Sequence, residues 1–249
     1  MFNERGENYK SVRTLTFLPL VGLFALISLV PAAAQSGSFQ IALNGKPIGT
    51  ASFNFTGTPS GYNSTSLVRV AIKGLDYDLS KTERLSSANE LQHVLLSAVV
   101  NNSAVTVTAA PDAGQILLKF SANGRDSTTR LAAHSSAVFL PDFDPGALET
   151  LLTLAVDHDN RDLWAIIPKN AGSIAPVTLA TYPDQQGTLD GKPVTVHHLV
   201  ATIAGAETDL FSGPENQLLQ AELPQEGFAL VRKGFVLVPS AKPLAPPAG

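Results

Sequence analysis

The side chains best placed to do chemistry in this sequence are a few histidines and carboxylates. The densest polar cluster is Asp157-His158-Asp159-Asn160-Arg161-Asp162. Asp157, His158 and Asp159 together offer oxygen and imidazole ligands to a divalent ion, and a metal held there would point to a metal-assisted hydrolase. No glycine supports an EF-hand-like turn, however, and no terminal Glu closes the loop. The same stretch also reads as a solvated helix-to-strand loop, with His158 set favourably against the helix C-terminus. His197 and His198 form the second candidate. Neighbours on a strand point to opposite faces, so the pair cannot chelate one ion without a bulge. His198 shares its face with Val194, Val196 and Val200, either as a polar handle in a cavity or as a core histidine. His93, in LQHVLL, allows the same two readings.

Catalytic spacings are otherwise missing. GTPSG (Gly57–Gly61) only loosely resembles a nucleophile elbow and falls in a turn; H-E-x-x-H, Walker and G-x-G-x-x-G patterns do not occur. No catalytic residue is assigned, the chain reads as a non-enzyme, and no cofactor is implied. The aromatic supply is more suggestive. Phe39, Phe53, Phe55, Phe120, Phe139, Trp164, Phe211, Phe228 and Phe235 either fill a core or line a lipophilic hollow. The expected cavity residues are Phe53, Phe55, Tyr77, Leu148, Leu151, Trp164 and His198.

The elements that would position these residues follow from periodicity. Phe53 and Phe55 share a face in ASFNF, and Val68, Val70 and Ile72 share one in SLVRVAI. Leu75, Tyr77 and Leu79 alternate with Asp76 and Asp78, the pattern of a half-buried strand. AVTVT, QILLKF, SAVFL, DLWAIIP, SIAPVTLATY, KPVTVHHLVATI, NQLLQAELP, GFALVRK and FVLVP continue the series. Turns this short connect antiparallel strands. One segment changes period: Leu148, Leu151, Leu152 and Ala155 lie at i, i+3, i+4 and i+7. Asp144 suits the N-cap and Pro145 the first helical position, so a helix is expected over 145–156. The fold class is therefore mainly β: a large curved antiparallel sheet, or half-barrel, with one amphipathic helix on its concave side.

Two stretches, LNGKPIG (Leu43–Gly49) and LDGKPVT (Leu189–Thr195), nearly repeat. Asn44-Gly45 and Asp190-Gly191 are type I′ hairpin signals, since that turn needs positive φ at both central positions. The copies diverge at once beyond the turn, which favours shared turn chemistry over a duplicated module.

Composition bounds the compartment and the partners. Arg5, Lys10 and Arg13 precede an apolar run, Leu15–Val30, and Ala32 and Ala34 form an A-x-A pattern. Residues 1–34 read as a signal peptide cut after Ala34, giving an exported protein, periplasmic or secreted, that meets the membrane only through that leader. Its removal takes three basic and two acidic groups, leaving 14 against 19. That balance and the lack of a Lys/Arg cluster argue against a nucleic acid partner. The absence of cysteine rules out thiol catalysis and Cys-ligated zinc. Residues 35–238 are read as one β-rich domain and 239–249 as a Pro/Ala-rich tail.

The layout F-x-I-x-x-N-G-K-P-I-G-T-A-S-F-x-F at Phe39–Phe55 resembles the opening of a bacterial exported family of unknown function. Gly45 and Gly49 match its hairpin glycines, and Glu215–Phe235 is similar to its closing strands. The implied architecture is similar to the open half-barrels of lipoprotein-carrier proteins in the envelope. The resemblance brings no catalytic residues. It implies the fold and an envelope role. The strand count, the single amphipathic helix and the aromatic supply point to an apolar small molecule or an envelope protein as partner, with a structural or interaction module as the other expectation.

Overall fold

The computed structural model describes residues 35–159 and 161–239. The expected leader, its cleavage site and all but the first residue of the expected tail lie outside the described residues. Eight strands come first: β1 (Ser36–Leu43), β2 (Lys46–Thr58), β3 (Gly61–Ile72), β4 (Leu75–Ser86), β5 (Leu91–Val100), β6 (Ser103–Asp112), β7 (Gln115–Ala122) and β8 (Arg125–Ala132). A short β9 (Ala137–Phe139) leads into the helix α1 (Pro145–Asp157). Then follow β10 (Leu163–Ile167), β11 (Ser173–Leu189), β12 (Lys192–Ile203), β13 (Ala206–Ser212), β14 (Leu218–Leu223), β15 (Phe228–Arg232) and β16 (Phe235–Leu237).

These strands make one open, curved sheet. Its order is β8-β7-β6-β5-β4-β3-β2-β1-β15-β14-β13-β12-β11-β10-β9, with β16 added alongside β11. The sheet is antiparallel except for β9 and β10, which pair in parallel, and α1 is the crossover such a pair requires. Two meanders thus meet at one seam, where β1 lies antiparallel to β15 with Phe39 opposite Arg232. Register shifts at Ile41/Ala42, Arg84/Leu85, Tyr182/Gln185 and Phe211/Ser212 sharpen the local twist and help the sheet curl. The turn after β10 reaches the far edge: the Thr129 hydroxyl on β8 donates to the Ala171 carbonyl at 2.6 Å.

The expected turns are present. Asn44 and Gly45 have φ of 48° and 75°, and Asp190 and Gly191 have 51° and 76°. Leu43–Lys46 and Leu189–Lys192 are the closing pairs. Each tip is also docked against a second glycine turn. Asn44 N–H donates to Gly227 O at 2.8 Å, and Asp190 N–H to Gly234 O at 2.9 Å.

Helix α1 lies in the trough against β2, β3 and β14, with β9 and β10 beside it. Asp144 caps it, accepting from the Gly146 and Ala147 amides at 2.9 and 3.3 Å. Leu148, Leu151, Leu152 and Ala155 are buried, as the period requires, but so are Ala147, Glu149, Thr150 and Leu154 on other sides. The helix is therefore enclosed nearly all round rather than half-exposed. Each fully buried leucine contributes about 1.5–3 kcal/mol.

The sheet has a second buried patch on its opposite face. Val196, Phe211, Leu219 and Phe235 form it, with Leu189, Val194, Val231 and Leu237 around them. Strand β16 creates this core by folding back to pair with Gly187–Leu189. Gly187 sits where a Cβ would meet the Phe235 ring at 2.8 Å, so the close approach of β16 requires glycine there.

Candidate functional site

The helix fills only part of the trough. Its C-terminal end lies near the β4–β5 turn, where Asn89 donates to Asp157 at 3.2 Å. Beyond its N-terminus, at the opposite end of the sheet, the concave face is hollow. The first hollow, of about 220 Å³, lies over the inner faces of β4, β5 and β6, with Leu75, Tyr77, Leu96 and Val107 in its wall. The second, of about 360 Å³, is walled by Leu148 of the helix and by Ile203, Leu223, Phe228 and Leu230. Leu75, Pro141, Asp142, Phe143 and Lys169 belong to both. Phe143 stands between the hollows, edge-on to Tyr77 (centroids 6.4 Å apart) and to Phe228 (4.9 Å). Its φ is 57°, a left-handed conformation that costs a bulky residue about 1–3 kcal/mol and persists only where the surroundings enforce it. At the rim Lys169 pairs with Asp142 at 2.7 Å. Burial, and after it the charges of Asp142 and Asp144, raises the Tyr77 hydroxyl above the ordinary tyrosine range.

Behind Phe143 lies a buried ionic cluster. Lys81 Nζ is 2.9 Å from Glu83 Oε2 and 2.7 Å from Asp144 Oδ2, with its side chain wholly out of solvent. Burial is the largest influence on the Lys81 ammonium and pushes its pKa down. Asp144, then Glu83, outweigh it and leave the group raised. Burial raises Glu83, against the pull of Lys81. Ser64 and Ser66 sit directly opposite Glu83 and Lys81 across β3–β4. Their hydroxyls and Glu83 Oε1 have no hydrogen-bond partner among the described residues. The cluster ties Asp144, which caps α1 and lines the second hollow, to the middle of the sheet.

A second buried carboxylate anchors the helix further along. Glu149 accepts from the Leu218 amide at 2.7 Å and from the Gln35 side chain. Burial pushes it up to about 7, against the opposing pull of the Leu218 amide, Arg232 and Gln35. Arg232 itself donates to Leu218 O at 3.0 Å and Ser36 O at 2.6 Å, and lies over the Phe39 ring.

Of the seven expected cavity residues, Tyr77 and Leu148 line these hollows. Phe53 on β2 and Leu151 on α1 are buried core residues at the helix–sheet contact and line none of these hollows. Phe55 borders a separate recess of about 250 Å³ with Gln35, Tyr62 and Thr153. Trp164 stacks on His134 at 3.7 Å and donates to Asp162 at 2.9 Å. His198 lies beside the second core, stacked on Phe211 and 2.7 Å from Asp209 Oδ1. His197 points the other way, to Asp184 at 2.9 Å. In the acidic loop Asp157 accepts from Asn89, and Asp159 pairs loosely with Arg161 at 3.6 Å. Among the described residues no three His, Asp or Glu side chains converge in an arrangement that could hold a metal ion, those of Asp157, His158 and Asp159 included.

A comparison with protein-family models, curated proteins and solved structures found no match. The functional reading therefore rests on this chain's own geometry.

Sequence reasoning missed Lys81, Glu83, Phe143 and Glu149, although the first three of these carried a signal. The register that buries Leu75, Tyr77 and Leu79, continued along β4, places Lys81, Glu83 and Leu85 on the same inner face. Phe143 precedes the N-cap and Leu148 sits four residues after it, the two positions of a hydrophobic staple.

Proposed function

We propose that this is an exported, non-enzymatic protein that holds an apolar, lipid-like ligand in the hollow around Phe143. The observation that carries the reading is the paired apolar space at the helix-free end of the trough, walled by β4–β6 on one side and β12–β15 on the other. Ligand pockets are concave and mostly apolar, with a few polar groups at defined positions, and here the Lys169–Asp142 pair supplies the polar rim. The leader-like N-terminus and the absence of cysteine are consistent with export. Native mass spectrometry of protein purified from its own host tests the reading, together with displacement of a fluorescent fatty-acid probe. A bound apolar mass and probe displacement are expected. A ligand-free spectrum with no probe binding refutes it.

A second reading, docking of an envelope protein, draws on the outer face of the same sheet. Leu67 on β3 and Val99 on β5, 59% and 44% exposed, line an open, largely apolar trough of about 700 Å³ over β1–β6, and Leu95 on β5 is 40% exposed. Cross-linking from Leu67 in the intact envelope separates the two readings.

A further inference from the structure

We infer that the two hollows are halves of one elongated site for a single-chain amphiphile with an uncharged or zwitterionic head, and that Phe143 sets the chain length it accepts. The inference rests on the apolar-ligand reading and goes beyond it by naming the ligand class and the residue that selects it. Five residues line both hollows, and the Phe143 ring is the bulky one among them that stands between the two. At about 220 and 360 Å³ the halves lie at or below the low end of ligand pockets, which run to roughly 300–1,000 Å³; joined, they come within it. A branched or multi-ring ligand does not suit two lobes meeting at a constriction, whereas a flexible hydrocarbon chain does.

Phe143 is suited to yield. The ring packs edge-on against Tyr77 and Phe228, apolar contacts that a hydrocarbon chain can replace as the ring turns aside about its side-chain bonds. On either side the chain is fixed. Leu140 N–H donates to Ile166 O at 2.9 Å, and Asp144 is locked as the helix cap and to Lys81. Movement of the ring therefore need not disturb the sheet or the helix.

The head preference follows from the rim. The charge of Lys169 is already engaged by Asp142, and Glu226 lines the same hollow. A free carboxylate would meet two carboxylates and have to compete for one ammonium. A head with hydroxyls, or with charges of both signs, can use Lys169 as donor and Asp142 as acceptor together.

The test is equilibrium binding to the full chain of three probes: a long-chain monoacylglycerol, its short-chain homologue and a long-chain fatty acid. Each is measured with wild type, Phe143→Ala and Phe143→Leu. If displacing the ring limits occupancy by the longer chain, its removal raises affinity for the long-chain monoacylglycerol by roughly 10-fold, with a smaller gain for Phe143→Leu. The short homologue, which fits one half, should bind all three proteins alike. Wild type should also prefer the monoacylglycerol to the fatty acid. The leucine variant, which keeps an apolar side chain at the site, carries the comparison if the alanine variant does not fold. Equal long-chain affinity in a folded variant and wild type overturns the role of Phe143. A fatty acid bound as tightly as the monoacylglycerol overturns the head assignment. Failure of every probe to bind any of the proteins overturns the apolar-ligand reading itself.

Discussion

Replacing Lys81 by methionine should be among the most damaging single changes available outside the hydrocarbon core. The ammonium is 2.7 Å from Asp144 and 2.9 Å from Glu83, and none of the three side chains is exposed beyond 1%. At an effective dielectric constant of about 20, each contact supplies about 6 kcal/mol of attraction, largely offset by the desolvation of the charges. Removing the cation leaves that desolvation uncompensated on two carboxylates, and truncations of this kind cost about 3–5 kcal/mol. Domains are stable by only about 5–15 kcal/mol, so the loss is a large fraction of the whole. With a urea slope of about 2 kcal/mol/M, the midpoint should fall by about 2 M at neutral pH. The pH dependence has a definite sign. Without Lys81 the folded-state pKa of Glu83 rises further above its unfolded value. The protonated form is then favoured in the folded state, and stability falls as pH rises between the two values. The deficit relative to wild type should therefore be smaller at about pH 4 than at about pH 8. The triple variant Lys81→Met/Glu83→Leu/Asp144→Ser removes every charge but keeps a capping hydroxyl. It should recover most of the loss, because well-packed apolar replacements of buried ion clusters are neutral to stabilising. A Lys81→Met protein within about 1 kcal/mol of wild type, or a triple variant weaker than the single one, would refute this account of the cluster.

Three further outcomes can be checked by the same denaturation methods. Glu149, raised by burial to about 7 from 4.5, favours the folded state when protonated. Its contribution is fully present below about pH 4.5 and lost by about pH 7, on the order of 3 kcal/mol, and Glu149→Gln should remove that slope from the difference between the two proteins. Leu151→Ala should cost about 2–5 kcal/mol, since the residue is enclosed between helix and sheet and the site has little room to collapse; an unchanged urea slope with a lower midpoint is the expected signature. Gly234→Ala should cost about 1–3 kcal/mol, because φ is 84° and the added carbon would meet the Asp190 carboxylate. Its effect should appear as faster amide exchange in β16 while β3 and β4 stay protected.

The parts of the fold legible in the sequence were those set by local rules. Strand β12 covers 192–203, the span that alternation marked, and α1 differs from its expected 145–156 by one residue at its C-terminal end. The two Asn/Asp-Gly turns have the φ values their chemistry demands. What escaped depends on contacts distant in sequence. Alternation correctly grouped His198 with Val194 and Val196 but could not say which face they meet, because β16 gives the outer side a core of its own. The strand series does not include β1, β5, β8 or β13: β1 and β5 alternate and were open to the same reasoning, whereas Arg125–Ala132 is exposed along most of its length and Ala206–Ser212 lacks a clean alternation. Lys81 and Glu83 escape the alternation argument because charged residues on a strand are expected outside. Their mutual pairing, and that with Asp144 more than sixty residues later in the sequence, is what lets them lie within.

The seam between β1 and β15 has a consequence for how this chain must be made. Hydrogen-bond partners such as Arg232 and Ser36 are separated by 196 positions, nearly the whole described length. A chain synthesised from its N-terminus can assemble the β1–β8 meander early, but one side of β1 stays bare until the last strands arrive. Pairings this distant in sequence form slowly, and a bare strand edge is a template for the wrong neighbour. Biogenesis should therefore be more vulnerable to crowding by nascent copies than the finished molecule is, and a helper that shields β1 until β15 docks would raise the yield without altering the product.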